Sequence, residues 1–158
     1  MNIRIIERPA FEVIGKKTWI SGQDNELFGR FWQQAREAGL FQTIEQISGF
    51  KPGMQTGAVT LGISCVEKDP QVRSFDYWIA IEKPANCPPH ELESTTVAGA
   101  KWAVFECRGT IPDSIVEAEI YAFSEWLPKS GYRHARAPEM EVYLPQSEGY
   151  CEFWLPIE

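Results

Sequence analysis

Hydrophobic and polar positions along this chain follow two periods. From Asn25 to Ala38 the apolar residues Leu27, Phe28, Phe31, Trp32 and Ala35 fall three and four apart, which predicts one helix with a single apolar stripe. Asp24 is suited to cap it and Gly39 to end it, with a further short helical turn from Leu40 to Ile47. A second helix is predicted after Pro112 from Ile115, Ala118, Glu119, Ala122, Phe123, Trp126 and Leu127, ending near Gly131. Elsewhere the apolar residues run as short strands: Ile3 to Glu7, Phe11 to Ile20, Thr56 to Val66, Phe75 to Glu82, Leu92 to Ala98 and Lys101 to Arg108. Two more begin at Glu139 and Tyr150 and predict a hairpin, because only five residues part them. Turns are expected at Phe50 to Gly53 and at Glu67 to Pro70.

These elements read strand, strand, helix, strand, strand, and then the same again. The irregular stretch Lys83 to His90, with three prolines in six residues, parts the halves, about 1–83 and 91–158. Letters repeat as well as pattern: Phe75-Asp76-Tyr77-Trp78-Ile79-Ala80-Ile81-Glu82 matches Cys151-Glu152-Phe153-Trp154-Leu155-Pro156-Ile157-Glu158 at a constant offset of 76. An internal duplication follows. Each half is too small to be stable alone, so the two are expected to join about a pseudo-two-fold axis as one α+β domain over 1–158.

The strand from Glu139 sorts its side chains by alternation: Met140, Val142 and Leu144 to one side, Glu139, Glu141 and Tyr143 to the other. In the last strand Phe153, Leu155 and Ile157 oppose Glu152 and Trp154. Acids and rings are therefore expected to share a face. Facing water, it is an ordinary solvated sheet; lining a concavity, it is a site for a flat cation. In the first half Ala58, Thr60, Gly62 and Ser64 occupy the equivalent face and are small, as a pocket between halves needs, while Asp76 and Trp78 go with Glu152 and Trp154. Mid-strand Trp102 fits either a core or a wall, and Trp126 and Phe123 fit a helix core.

Composition narrows the partners. The net charge of −7 argues against a nucleic-acid backbone and permits a cation. With six Trp, five Tyr and nine Phe, some rings must line a cavity or lie partly exposed. No apolar run approaches a membrane span, and Met1 to Pro9 has no signal-peptide core. Cys65, Cys87, Cys107 and Cys151 lack metal or redox spacing and read as reduced thiols of a cytoplasmic protein. Neither His90 nor His134 has metal-ligand spacing, and no phosphate loop, dinucleotide fingerprint or Gly-x-Ser-x-Gly occurs, so neither metal nor cofactor is expected. Glu141 in a dry pocket could still serve as a general acid or base.

Four stretches carry a family resemblance: Phe75 to Ala80, Val97 to Glu106, Glu125 to Tyr132 and Ala137 to Tyr143. In that order and spacing the chain resembles the GyrI-like small-molecule-binding domain, which is also the effector-binding domain of AraC-type and MerR-type multidrug transcription activators. The resemblance implies a duplicated SHS2-like module with a ligand groove between the halves. It also implies that Glu141 faces the groove and meets a ligand cation, with Glu152 and Trp154 on the next strand lining it. Tyr143, Trp102 and Trp78 are the further wall candidates. The chain has no room for the activators' helix-turn-helix and so resembles the stand-alone members. The leading expectation is a binding protein for lipophilic, cationic small molecules. One alternative is a hydrolase of reactive xenobiotics such as cyclopropane-containing genotoxins, with Glu141 as the catalytic candidate. Another is a protein-interaction role such as DNA gyrase inhibition.

Overall fold

The computed structural model describes residues 1–67, 69, 71–145 and 148–158. Lys68 and Pro70 of the expected turn lie outside the described residues. Among the described residues eight strands form one antiparallel sheet: β1 (Ile3–Arg8), β2 (Phe11–Ser21), β3 (Thr60–Ser64), β4 (Ser74–Glu82), β5 (Glu93–Val97), β6 (Ala100–Arg108), β7 (Glu139–Tyr143) and β8 (Tyr150–Ile157). Helices α1 (Glu26–Glu37) and α2 (Leu40–Ser48) belong to the first half. Helix α3 (Asp113–Tyr121) belongs to the second and runs through a π-helical segment, Ala122–Trp126, into a last turn at Leu127–Ser130. Asp24 serves α1 by accepting the Glu26 N–H at 2.9 Å. Strand β3 is shorter than its apolar run, because the Gln55 and Thr56 N–H groups bind the Glu82 carboxylate instead of a neighbouring strand.

The strand order is β1-β6-β8-β7-β3-β4-β2-β5. Exchanging each strand for its counterpart in the other half gives the same order reversed, so the pseudo-two-fold lies between β3 and β7. The first strand of each half pairs with the other half: β1 lies on β6 and β5 on β2. The two-residue links β1–β2 and β5–β6 are therefore not hairpin turns. They connect opposite ends of the sheet, and this sets its shape. Laid flat, β1 and β2 would stand six strand spacings apart, about 29 Å, whereas a two-residue link reaches at most about 11 Å. The sheet has to curl until its ends meet. The links do lie against each other: a Cβ on Gly99 would come within 3.1 Å of the Ala10 nitrogen.

Curling gives the sheet two apolar faces. The inner face is a core of its own, with Val13, Leu61, Ile63, Trp78, Trp102, Val104, Met140, Val142 and Trp154 packed without any helix. The outer face carries the helices in two separate patches. Ala35 of α1 and Leu40 and Ile44 of α2 pack on Ile14, Tyr77, Ile79 and Ile81. Ile115, Ala118 and Ala122 pack on Ala103, Phe105, Cys151, Phe153 and Leu155. All four cysteines are free, with Cys107 and Cys151 buried opposite each other on β6 and β8. Among the described residues no helix is long and apolar enough to cross a membrane.

Candidate functional site

The two helical patches leave the middle of the outer face uncovered, above β3 and β7. A cleft of about 1,100 Å³ opens there. Its floor includes Ser64, Glu139, Glu141 and Tyr143, one wall is Phe28 and Trp32 of α1, and the other is Ile115, Glu119 and Phe123 of the second-half helix. Drug-sized ligands occupy sites of roughly 300–1,000 Å³.

Glu141 is the centre of the floor. It pairs with Gly62 across the β3–β7 ladder. A Cβ at position 62 would lie 2.4 Å from the Tyr77 hydroxyl and 2.8 Å from Glu141 Oε1, so only glycine leaves room for both. Tyr77 Oη donates to both carboxylate oxygens at 3.1 Å, and Tyr143 Oη donates to Oε1 at 2.5 Å. Trp32 Nε1 donates in turn to Tyr77 Oη at 3.0 Å. The rings that hold these groups pack edge-on, with Phe28 4.8 Å from Tyr77 and Trp32 5.4 Å from Tyr143. The duplication makes the asymmetry plain: Tyr77 stands beside Ser64 where its counterpart Phe153 stands beside Glu141.

Burial raises the Glu141 pKa, and the hydrogen bonds from Tyr143 and Tyr77 oppose the rise. Both phenols are pushed up, first by burial and then by the Glu141 charge, and stay protonated as donors. Glu119 is pushed up to about 8 by burial and by the charges of Glu141 and Glu139, with Arg73 opposing. His134 meets Glu139, Nε2 to Oε2 at 2.8 Å, while His134 Nδ1 lies 2.6 Å from the Ala135 carbonyl. Burial works against the imidazolium, but the hydrogen bonds to Glu139 and to that carbonyl raise its pKa overall. Among the described residues neither Glu141 nor Glu119 forms a salt bridge, and no group of three or more His, Cys, Asp or Glu is placed to hold a metal.

The Glu119 shift has a direct consequence for stability. From its ordinary value of 4.5 up to about 8, the folded chain holds a proton that the unfolded chain has released. Stability is therefore full below that window and is expected to fall as pH rises through it. Glu119→Gln is expected to flatten the decline without abolishing it, since Glu141 and Glu67 are shifted in the same direction. Thermal melts of both proteins at about pH 5 and pH 8 test this; equal slopes would refute it.

Only part of the expected face assembles here. Register pairs Met140 with Trp154, Glu141 with Phe153 and Val142 with Glu152. Directly opposed residues share a face, so Glu152 and Trp154 lie on the inner side of the sheet, away from Glu141 and Tyr143. The expectation that they share a face is corrected. Trp102 and Trp78 are on that inner side too, in the closed core with Trp154. Glu152 is committed there: Arg4 Nη1 donates to Oε2 at 2.8 Å, Tyr150 Oη to Oε2 at 3.1 Å and Trp154 Nε1 to Oε1 at 3.1 Å. Asp76 meets Lys17 in a half-exposed pair at 3.4 Å. Of the six residues expected to line a groove, Glu141 and Tyr143 do so. Trp32, Phe28 and Glu119 also line it and were not expected, nor was Tyr77 as the donor behind Glu141. Glu119 had a visible signal, an acid inside the apolar stripe of its helix.

The model of the GyrI-like small molecule binding domain matches residues 1–158. The chain belongs to this family. The GyrI-like fold is shared with SAV2435 bound to tetraphenylphosphonium (TM-score 0.78, 19% identity, covering 100% of this chain and 94% of that one). It is also shared with a putative bacterial transcription regulation protein from Staphylococcus aureus MU50 (TM-score 0.71, 20% identity, covering 100% and 99%). A third likeness is to EcmrR in complex with DNA (TM-score 0.67, 17% identity), where the GyrI-like chain spans 99% of its own length but 57% of EcmrR. No curated protein matches the sequence.

Proposed function

We propose that this GyrI-like domain binds lipophilic cations in the cleft between α1 and α3, with Glu141 as the charge partner. The observation that carries this reading is that Glu141 forms no salt bridge among the described residues. A carboxylate half-buried among aromatic rings loses part of its hydration, a cost that rises to several kcal/mol for a fully buried ion, and a ligand cation offsets that cost. Rings of Trp32, Phe28 and Tyr143 around the same space each add about 0.5–2 kcal/mol of cation–π attraction. The tetraphenylphosphonium bound by SAV2435 is a ligand of this class.

The test is a titration with tetraphenylphosphonium and with a cationic dye, following the Trp fluorescence to which Trp32 contributes. Glu141→Gln is expected to weaken binding of both at least tenfold, about 1.4 kcal/mol. Equal binding by wild type and variant would remove Glu141 as the charge partner.

One feature favours a second reading. Glu119 keeps its proton up to about pH 8 beside the Glu141 charge, and a proton-holding acid next to a carboxylate is the pairing hydrolytic chemistry uses. That reading predicts product formation from a reactive electrophile, lost in Glu119→Gln; binding without turnover would retire it.

A further inference from the structure

The cation reading of the cleft leaves open which cations it takes, and the inference here rests on that reading. We infer that the cleft selects protonated amines over cations that carry no N–H.

The ground is the hydrogen-bond inventory of the Glu141 carboxylate. Each of its oxygens can accept about two hydrogen bonds. Oε1 accepts from Tyr143 at 2.5 Å and from Tyr77 at 3.1 Å. Among the described residues Oε2 accepts from Tyr77 alone, at 3.1 Å. A phenol has one proton, so Tyr77 divides a single hydrogen between the two oxygens. Its oxygen accepts in turn from Trp32 Nε1. Oε1 is also the oxygen turned toward the strand floor at Gly62. Oε2 is thus the poorly served one, on a carboxylate that lines the cleft.

A half-buried carboxylate oxygen short of donors asks for a hydrogen bond as well as a positive charge. A protonated secondary or tertiary amine supplies both along one N–H direction. A quaternary ammonium or a phosphonium supplies charge only, and its substituents hold that charge about 4 Å or more from the oxygen, where the Coulomb attraction is weaker. The aromatic walls accept either kind, so the discrimination lies at Oε2. Size does not decide it, since about 1,100 Å³ accommodates one methyl group more or less.

The experiment compares three matched probes by isothermal titration at neutral pH. They are N,N-dimethyl-2,2-diphenylethylamine, its N-methyl quaternary salt, and its N-ethyl-N-methyl analogue, a tertiary amine with the volume of the quaternary salt. The two tertiary amines are expected to bind wild type alike and about tenfold or more tighter than the quaternary salt. In Glu141→Gln all three weaken and the gap closes to within about threefold. Equal binding of all three by wild type, with all three weakened by Glu141→Gln, overturns this inference and leaves the cation reading standing. Binding that Glu141→Gln does not weaken overturns both. The wild-type comparison needs no variant, so a folding defect in Glu141→Gln cannot hide the first outcome.

Discussion

Gly62→Ala is expected to disable the cleft and to destabilise the fold in one substitution. The new methyl group would lie 2.4 Å from Tyr77 Oη and within 3.0 Å of the Glu141 carboxyl carbon. Tyr77 cannot retreat: it is fully buried, with Phe28 against its ring and Trp32 hydrogen-bonded to its oxygen. The Glu141 carboxylate has to leave instead, giving up its hydrogen bond from Tyr77 or from Tyr143. Overpacking of this kind costs about 1–3 kcal/mol. Cation affinity is expected to drop at least tenfold with it, since the charge no longer stands where the rings converge. Denaturant midpoints and dye titrations on the same samples test both parts. A folded Gly62→Ala protein with unchanged affinity would show that ligand does not meet Glu141 in this arrangement.

Trp154→Ala is expected to have the largest effect on stability and none on the site directly. Trp154 is 1% exposed, its ring is 5.8 Å from that of Trp102, and its N–H serves Glu152. Truncating a buried tryptophan costs about 3–5 kcal/mol, a large share of the 5–15 kcal/mol that holds a typical domain together. The gentler Trp154→Phe keeps most of the packing and leaves Glu152 its bonds from Arg4 and Tyr150. It is expected to lower the melting temperature while changing cation affinity by less than about twofold. Wild-type stability with lost affinity in Trp154→Phe would place the ligand against Trp154 on the inner face and overturn the cleft as its site.

The family match and the duplicated fold were legible in the sequence, and so was Glu141 as the acid of interest. The repeat at offset 76 exposed the pseudo-symmetry, which the strand order displays as a reversal about β3 and β7. The second half of the site was misplaced for an identifiable reason. Alternation sorts the side chains of each strand into two sets but says nothing of how the sets of two strands align. One residue of register moves Glu152 and Trp154 from the Glu141 side to the other. Ordinarily polarity settles such a choice, because one face of a sheet is wet. Here the two-residue links at Pro9-Ala10 and Ala98-Gly99 curl the sheet around one apolar face while the helices cover the two sides of the other, so neither face is simply wet. Trp78, Trp102 and Trp154 then look, in sequence, as much like a ligand wall as Trp32 does.

Glu119 and Trp32 were legible in kind but not in role. Each sits in an apolar helical stripe, and a stripe shows only that the helix has a packed side. Where that side meets open space instead of strand depends on how far apart α1 and α3 stand over the central strands.

The sequence by itself determined the elements, their repetition, the acidic balance and the presence of one carboxylate among aromatic residues, because those follow from local periodicity and composition. The tertiary structure alone decided which face is the cleft, that Tyr77 and Tyr143 hold Glu141, that Arg4 and Trp154 hold Glu152, and that Glu119 faces Glu141 across open space. These depend on strand register and on contacts between residues distant in the chain, which no local pattern encodes.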